Sequence, residues 1–259
     1  MYRNFYESVL KQTGGSWFDF EGLIRDIYVV LLKPGDTAVD AGAHKGDHTF
    51  QMAQAVAPNG QVIAIEVAPE LVHHLMELRS TTYRHLSGVV DIRGIGLSDT
   101  HRTGSFFYVP EAPGLSSLRN RDALVGGRAV ESQVTLAPLD DICRSAPGTI
   151  RFVKMDIEGS EFDALRGGKE ILAEHRPVLV FEHDTQSPLY FSYSIQDLLD
   201  LLQEFEYQVF DFFGNSYDQL EAWSNTMIWN FVAVPRRHSD TSVIFDTVRR
   251  TLSAIGVRY

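Results

Sequence analysis

The chain has little cysteine and no long apolar run. Its 259 residues include one cysteine, Cys143, so neither an internal disulfide nor a cysteine-based zinc cluster can form, which is typical of a reducing compartment. The most apolar early stretch, residues 27–32, is far shorter than the ~20 residues that a membrane-spanning helix needs. The N-terminal residues show no secretory signal. We therefore expect a cytoplasmic protein with no membrane span.

Basic charge is also scarce in this sequence. Lys and Arg number 23 against 34 Asp and Glu, which gives a net charge of −11. Affinity for nucleic acid comes largely from Lys and Arg that neutralise phosphates, so we expect no nucleic-acid partner. The hydrophobic content of 44% and the charged content of 22% are ordinary for a globular protein, which excludes a disordered or fibrous chain.

Two phosphate-binding fingerprints are missing. The nicotinamide pattern G-x-G-x-x-G is broken because Ala41 and His44 disturb its spacing, and the pattern G-x-x-x-x-G-K-[ST] is absent. A nucleotide-dependent oxidoreductase is therefore disfavoured, although it stays an alternative.

Short apolar runs alternate with segments of helical periodicity. In the first hundred residues, strands are predicted at 37–43, 61–67 and 89–97, and helices at 19–33, 48–56 and 69–79. This alternation predicts a parallel sheet with right-handed crossovers. Further strands are predicted at 104–110, 149–157 and 177–183, further helices at 160–174 and 195–205, and a hairpin from the runs 207–213 and 226–234.

No linker divides the chain. We predict a single doubly wound α/β domain over residues 1–259, with an N-terminal helical appendage at 1–35, a Rossmann-like core at 36–235 and a C-terminal tail at 236–259. The stretch 111–128 is rich in Gly, Ser, Arg and Asn and is predicted to be a long loop. Loops of that length are usually lids, binding loops or disordered segments.

The first predicted strand ends in the turn D-A-G-A-H-K-G at residues 40–46. In such sheets, ligands bind beyond the carboxyl ends of the strands. Gly42 and Gly46 permit a tight turn, and the following helix N-terminus favours an anionic group. Asp40 adds the opposite charge, a pairing that suits a zwitterion such as an amino acid. The alternative is a glycine turn that only lets the helix pack on the strand.

Glu66 ends the second predicted strand, 24 residues after Gly42. An acidic residue there can accept hydrogen bonds from both ribose hydroxyls of a nucleoside. The polar pair Ser98 and Asp99, after the third predicted strand, could flank a nucleobase. The predicted cofactor-binding residues are Asp40, Gly42, Ala43, His44, Gly46, Glu66, Ser98 and Asp99, with His44 contributing through its backbone.

Charged residues interrupt the strand predicted at 149–157. Strand alternation puts Lys154 and Asp156 on one face at the carboxyl edge of the sheet, and charges in a buried strand are costly unless they are paired or used. Asp156 is our first choice for a catalytic base or metal ligand, and Lys154 would orient it or the cofactor. His183 is either a further catalytic base or structural. Asp156, Glu182 and His183 together could hold Mg²⁺ or Mn²⁺.

These residues resemble a known family. The turn at 40–46, Glu66, residues 96–99 and above all K-M-D-I-E-G-S-E at 154–161 resemble the FkbM family of S-adenosylmethionine-dependent methyltransferases. The similarity covers roughly residues 20–235 in the family's order. It implies the methyltransferase version of the Rossmann fold, a mostly parallel seven-stranded sheet whose last strand is antiparallel. It also implies S-adenosylmethionine as cofactor and O-methylation of a small-molecule or glycan acceptor.

The sequence leaves three questions open. A catalytically silent cofactor-binding or scaffold protein is the alternative from another functional class. A divalent metal and a homo-oligomer are both compatible with the residues.

Glu161 is better explained as a helix-start residue, which stabilises the first turn of the helix that follows.

Overall fold

The strands are short and mostly apolar. In chain order they are β1 (Thr37–Ala41), β2 (Gln61–Glu66), β3 (Val90–Gly94), β4 (Gly96–Leu97), β5 (Arg102–Tyr108), β6 (Val130–Ala137), β7 (Ile150–Met155), β8 (Val178–Glu182), β9 (Tyr207–Asp211) and β10 (Asn230–Pro235). The computed structural model describes residues 19–121, 129–183, 187–223, 228–236 and 241–254.

Seven strands form the main sheet in the order β3-β2-β1-β7-β8-β10-β9. The first five of these pair in parallel, whereas β10 runs antiparallel to both β8 and β9. This confirms the predicted doubly wound, mostly parallel sheet with an antiparallel last strand. Successive strands run outward from β1 to β3 and the chain then returns to β7, so the strand order reverses between β1 and β7. Ligands of such sheets bind at this kind of switch point.

Helices cover both faces of the sheet. They are α1 (Phe20–Leu31), α2 (Asp47–Val56), α3 (Pro69–Ser80), α4 (Leu139–Cys143), α5 (Glu161–Arg166), α6 (Lys169–Glu174), α7 (Ser187–Phe191), α8 (Ile195–Glu204), α9 (Leu220–Trp223) and α10 (Thr241–Ala254). Every residue of β1 and β10 is buried, because strands covered on both sides meet no solvent. None of the helices in the described part of the chain has the length and apolar character that a membrane crossing requires.

The N-terminal and C-terminal segments contact one another. Helix α1 buries an apolar stripe that includes Leu23, Ile27 and Tyr28, and α10 packs against it. The Thr251 hydroxyl of α10 donates a hydrogen bond of 2.7 Å to the Asp26 carboxylate of α1. The predicted tail therefore contains a helix, while residues 1–18 of the predicted appendage lie outside the described residues. The division of the chain into appendage, core and tail stays a prediction.

Two predicted elements were too long. The strand predicted at 89–97 is two strands, because β3 stays in the main sheet whereas β4 pairs with β6 in a second, three-stranded sheet with β5. The helix predicted at 160–174 breaks into α5 and α6 at Gly167 and Gly168. A side chain at Gly167 would overlap the carbonyl oxygen of Ser98, so the break lets the chain pass close to that strand end.

One predicted loop contains regular structure. The 111–128 loop includes a 3₁₀ turn at Pro113–Leu115 and leads into β6, a strand the sequence did not predict; residues 122–128 lie outside the described residues. Strand β6 reads V-E-S-Q-V-T-L-A and is exposed over its first half, so it lacks the apolar run of a core strand.

Candidate functional site

A cavity of about 520 Å³ opens at the carboxyl ends of β1, β2 and β7. Its walls come from the turn after β1, the end of β2, residues 95–97, the loop 113–118 and the end of β7. Helix α1 closes another side. The cavity thus lies at the switch point of the sheet, and most of the predicted site segments border it.

The glycine turn joins β1 to β7. Gly42 has a positive φ of 78°, and a side chain there would overlap the carbonyl oxygen of Asp156. The Asp156 N–H donates to the Ala41 carbonyl at 3.0 Å. Gly46 also has a positive φ, of 87°, at the start of α2. Gly42 is therefore required by the contact between two strand ends, which brings the turn and Asp156 to one place.

Asp40 lies beneath the turn and not in the described lining of the cavity. Only 1% of its surface is exposed. Its Oδ2 accepts a hydrogen bond of 2.5 Å from the Thr49 hydroxyl, and its Oδ1 lies 3.8 Å from Nζ of Lys154. The sequence suggested that Asp40 faces a zwitterionic ligand. In the structure Asp40 instead holds Lys154.

Glu66 lines the cavity and organises the backbone around it. Its Oε1 accepts hydrogen bonds from the N–H groups of Val67 and Ala68 at 2.8 and 2.9 Å. Its Oε2 accepts one from the N–H of His44 at 2.9 Å. Burial raises the pKa of Glu66, and these three donors oppose that rise. A carboxylate offers about four acceptor positions, so one remains for a ligand. His44 acts here through its backbone, and Ala43 also lines the cavity.

The predicted nucleobase pair faces elsewhere. Ser98 is fully buried and its hydroxyl donates to the carbonyl of Thr100. Asp99 forms an ion pair of 2.7 Å with Arg166. The cavity wall at this strand is instead formed by the apolar residues Ile95 and Leu97 with the glycine between them.

Lys154 is a buried cation between two carboxylates. Its Nζ lies 3.5 Å from Oδ2 of Asp156 and 3.8 Å from Oδ1 of Asp40. Burial opposes the charge, yet the negative charges of Asp156 and Asp40 raise the pKa of Lys154 above its ordinary value. Asp156 lines the cavity and 35% of its side chain is exposed. The arrangement is a fixed cation that orients one accessible carboxylate.

A second acid supports the loop after β7. Glu161 is fully buried, and its Oε1 accepts hydrogen bonds from the N–H groups of Ile157 at 3.0 Å and Gly159 at 3.4 Å. Burial, assisted by the nearby charges of Asp156 and Glu158, raises the pKa of Glu161 to about 8. Sequence reasoning assigned this residue to the helix start. Its complete burial could not be read from the motif, because burial depends on the packing of the folded chain.

The loop 113–121 is fastened to the loop that follows β7. The Ser117 hydroxyl donates to the carbonyl of Glu158 at 2.9 Å, and Arg121 forms an ion pair of 2.8 Å with the Glu158 carboxylate. The guanidinium of Arg121 is therefore paired within the chain itself.

The predicted metal set does not assemble. His183 is buried, outside the described lining, with Nε2 at 2.8 Å from the Tyr193 hydroxyl. Burial, followed by the negative charges of Asp156 and Glu158, raises the pKa of Glu182 to about 9. Among the described residues, no three His, Cys, Asp or Glu side chains are placed to hold a metal ion.

Sequence reasoning missed the contribution of α1. Glu21 lines the cavity and accepts a hydrogen bond from Nε2 of His48, which also lines it. Nδ1 of His48 lies 3.3 Å from the Tyr28 hydroxyl. The acidic first turn of α1 was the only available signal, and nothing in the spacing connects residue 21 with residue 48.

Comparisons with known proteins agree with one another. A family model described as "Methyltransferase FkbM domain" matches residues 40–209. Methyltransferase 1 of Beauveria bassiana is 29% identical over 165 residues, which make up 57% of this chain and 64% of that protein. The match therefore spans less than two thirds of this curated relative.

Two further similarities cover unequal shares of the chain. The protein-L-isoaspartate O-methyltransferase of Aeropyrum pernix is 39% identical over 61 residues, 23% of this chain and 22% of that protein. The crystal structure of Methyltransferase FkbM from Methylobacillus flagellatus KT is 19% identical with a TM-score of 0.48, covering 90% of this chain and 59% of the other.

Proposed function

The chain belongs to the FkbM family of S-adenosylmethionine-dependent methyltransferases, and we propose that it O-methylates a hydroxyl of a sugar, a glycan or a secondary metabolite. One observation carries the proposal. A single cavity joins Glu66, the residue suited to a nucleoside, to Asp156, an accessible carboxylate held by a buried cation. The proposed cofactor residue and the proposed proton acceptor therefore line the same cavity.

The residues present fit the cofactor. The cavity volume of about 520 Å³ is within the range of small-molecule sites. The remaining acceptor position of Glu66 would hold a ribose hydroxyl, and the apolar wall at Ile95 and Leu97 would face the base. When bound, S-adenosylmethionine supplies a methyl group that is already activated, so the protein must position the acceptor and manage its proton.

Asp156 is proposed as the proton acceptor. An aliphatic hydroxyl is a poor nucleophile at neutral pH and needs a base. Asp156 forms a charged trio with Lys154 and Asp40, and its side chain is the partly exposed one of the three. Nζ of Lys154 lies 3.5 Å from Oδ2 of Asp156 and so fixes its carboxylate. Lys154 acts as a positioning residue, since 6% of its side chain is exposed. His183, the other predicted base, lies outside the described lining and is not assigned a catalytic role.

Two features favour a hydroxyl acceptor. The sequence has no Asn/Asp-Pro-Pro-aromatic motif of the kind used for amino-group methylation. The residues that line the cavity also include Glu158, Ser116 and Ser117. Hydroxyl and carboxylate groups are suitable hydrogen-bond partners for a polyol.

The test is methyl transfer from isotopically labelled S-adenosylmethionine to panels of sugars, oligosaccharides and hydroxylated secondary metabolites. Asp156→Asn should bind the cofactor normally and lose ~10²–10⁴ in rate, as for the loss of a general base. Asp200→Asn, an exposed residue of α8, is the matched control and should behave as wild type. A chelator should leave the wild-type rate unchanged.

Three outcomes would contradict the proposal. Normal turnover by Asp156→Asn would place the chemistry on another residue. Inactivation by chelator with recovery on adding Mg²⁺ or Mn²⁺ would replace the plain base with a metal site. Cofactor binding without transfer to any acceptor would favour the catalytically silent alternative.

A further inference from the structure

The buried position of Asp40 leaves an unanswered requirement. The amino-acid end of the proposed cofactor is a zwitterion, and its ammonium group needs an anionic partner because an unpaired charge is costly to bury. The sequence assigned that role to Asp40, which is 1% exposed and already contacts Thr49 and Lys154. A carboxylate that lines the cavity can meet that requirement.

We propose that Glu21 of α1, oriented by His48, binds the ammonium group at the amino-acid end of S-adenosylmethionine. The inference rests on the proposed function, because it assigns a ligand group within the same cavity. Glu21 stands in the first turn of α1 and 67% of its side chain is exposed. A hydrogen bond from Nε2 of His48 fixes its Oε2, which leaves Oε1 for a ligand.

The location of His48 places Glu21 next to the glycine turn. His48 is the second residue of α2, two positions after Gly46, and no side chain caps the α2 N-terminus. A ligand carboxylate is favoured at such an N-terminus by its free N–H groups. The ammonium group of an amino acid is attached one carbon away from its carboxylate. A carboxylate held beside the first turn of α2 is therefore where the ammonium group needs it.

The hydrogen-bond chain behind Glu21 fixes its charge state. Tyr28 is fully buried, and burial raises its pKa, so the phenol keeps its proton. Its hydroxyl lies 3.3 Å from Nδ1 of His48, and Nε2–H of His48 donates to Glu21. The His48 hydrogen bond outweighs burial and lowers the pKa of Glu21. Glu21 therefore stays ionised, which suits a cation-binding role better than that of a base.

Two ligands isolate the proposed contact. S-adenosylhomocysteine carries the amino-acid end, whereas 5′-methylthioadenosine has the same nucleoside and a thioether but lacks it. By calorimetry, Glu21→Gln should weaken binding of S-adenosylhomocysteine about 10- to 100-fold, as expected for the loss of a charge-assisted hydrogen bond. Binding of 5′-methylthioadenosine should change less than about twofold, because that ligand makes no contact with Glu21.

Two variants complete the experiment. His48→Gln should weaken S-adenosylhomocysteine selectively but by less than Glu21→Gln, since it removes only the orienting contact. Glu77→Gln, an exposed carboxylate of α3 outside the described lining, should change neither affinity. Thermal unfolding of each variant checks that the fold is intact.

The outcomes are distinguishable. Equal weakening of both ligands by Glu21→Gln, or no weakening of either, would overturn the inference while leaving the proposed function standing. Normal S-adenosylhomocysteine binding with lost methyl transfer would also overturn it, because Glu21 would then act as a base. Failure of the wild type to bind either ligand would overturn the proposed function and this inference with it.

Discussion

Replacing Glu161 with Gln would remove a charge that the fold accommodates poorly at high pH. Glu161 is fully buried, and its Oε1 accepts from the N–H groups of Ile157 and Gly159. Gln keeps an acceptor at that position and cannot ionise. The variant should therefore retain the loop after β7. Its free energy of unfolding should lose the pH dependence that the carboxyl group causes.

The magnitude follows from the pKa of Glu161. Burial raises that pKa from 4.5 to about 8 in the folded protein. A group whose folded pKa is raised contributes stability that is fully present below pH 4.5 and is lost as the pH rises through 8. The difference corresponds to about 5 kcal/mol. Relative to wild type, Glu161→Gln should gain free energy of unfolding by up to about 5 kcal/mol between pH 4.5 and 8, and no more above pH 8.

Urea unfolding at several pH values measures this difference directly. A buried amide left without a partner would cost roughly 1–3 kcal/mol. That cost is independent of pH, so it does not change how the free energy of unfolding varies with pH. Glu174→Gln, exposed on α6, should follow the wild type at every pH. A constant difference between Glu161→Gln and wild type from pH 4.5 to 8 would refute the reasoning.

Two further predictions concern the turn and the end of β2. Gly42→Ala should destabilise the fold by about 1–3 kcal/mol or more, because the φ of Gly42 is positive and a side chain would overlap the carbonyl oxygen of Asp156. Thermal unfolding measures this loss of stability, and an unchanged midpoint would contradict the prediction. Glu66→Ala should weaken S-adenosylhomocysteine binding by roughly 1–3 kcal/mol, whereas Glu66→Gln, which keeps an acceptor, should lose less; calorimetry giving equal losses would argue against a hydrogen-bonding role.

The core strands could be predicted from local sequence. Strands β1, β7 and β8 lie in the middle of a sheet covered on both faces, so each one is a nearly continuous apolar run. Strand β6 could not be found in this way. It is half exposed and polar, and its partners β4 and β5 lie earlier in the chain.

The edge of the sheet that carries the site could also be predicted, because all parallel strands place their carboxyl ends at one edge. This placed Glu66 and Asp156 at the same edge, and the cavity contains both. The same rule could not say which polar side chains face the cavity. Asp40 turns under the sheet edge toward Lys154, and Asp99 turns away toward Arg166.

Tertiary packing alone decided the surroundings of the charged groups. The raised pKa of Glu161 results mainly from its burial, and the contact between Glu21 and His48 joins residues 27 positions apart. Burial and pairing of this kind depend on which surfaces meet in the folded chain. A motif fixes the order of residue types along the backbone, but the energy of a charge is set by the solvent and the partners that the whole fold leaves to it.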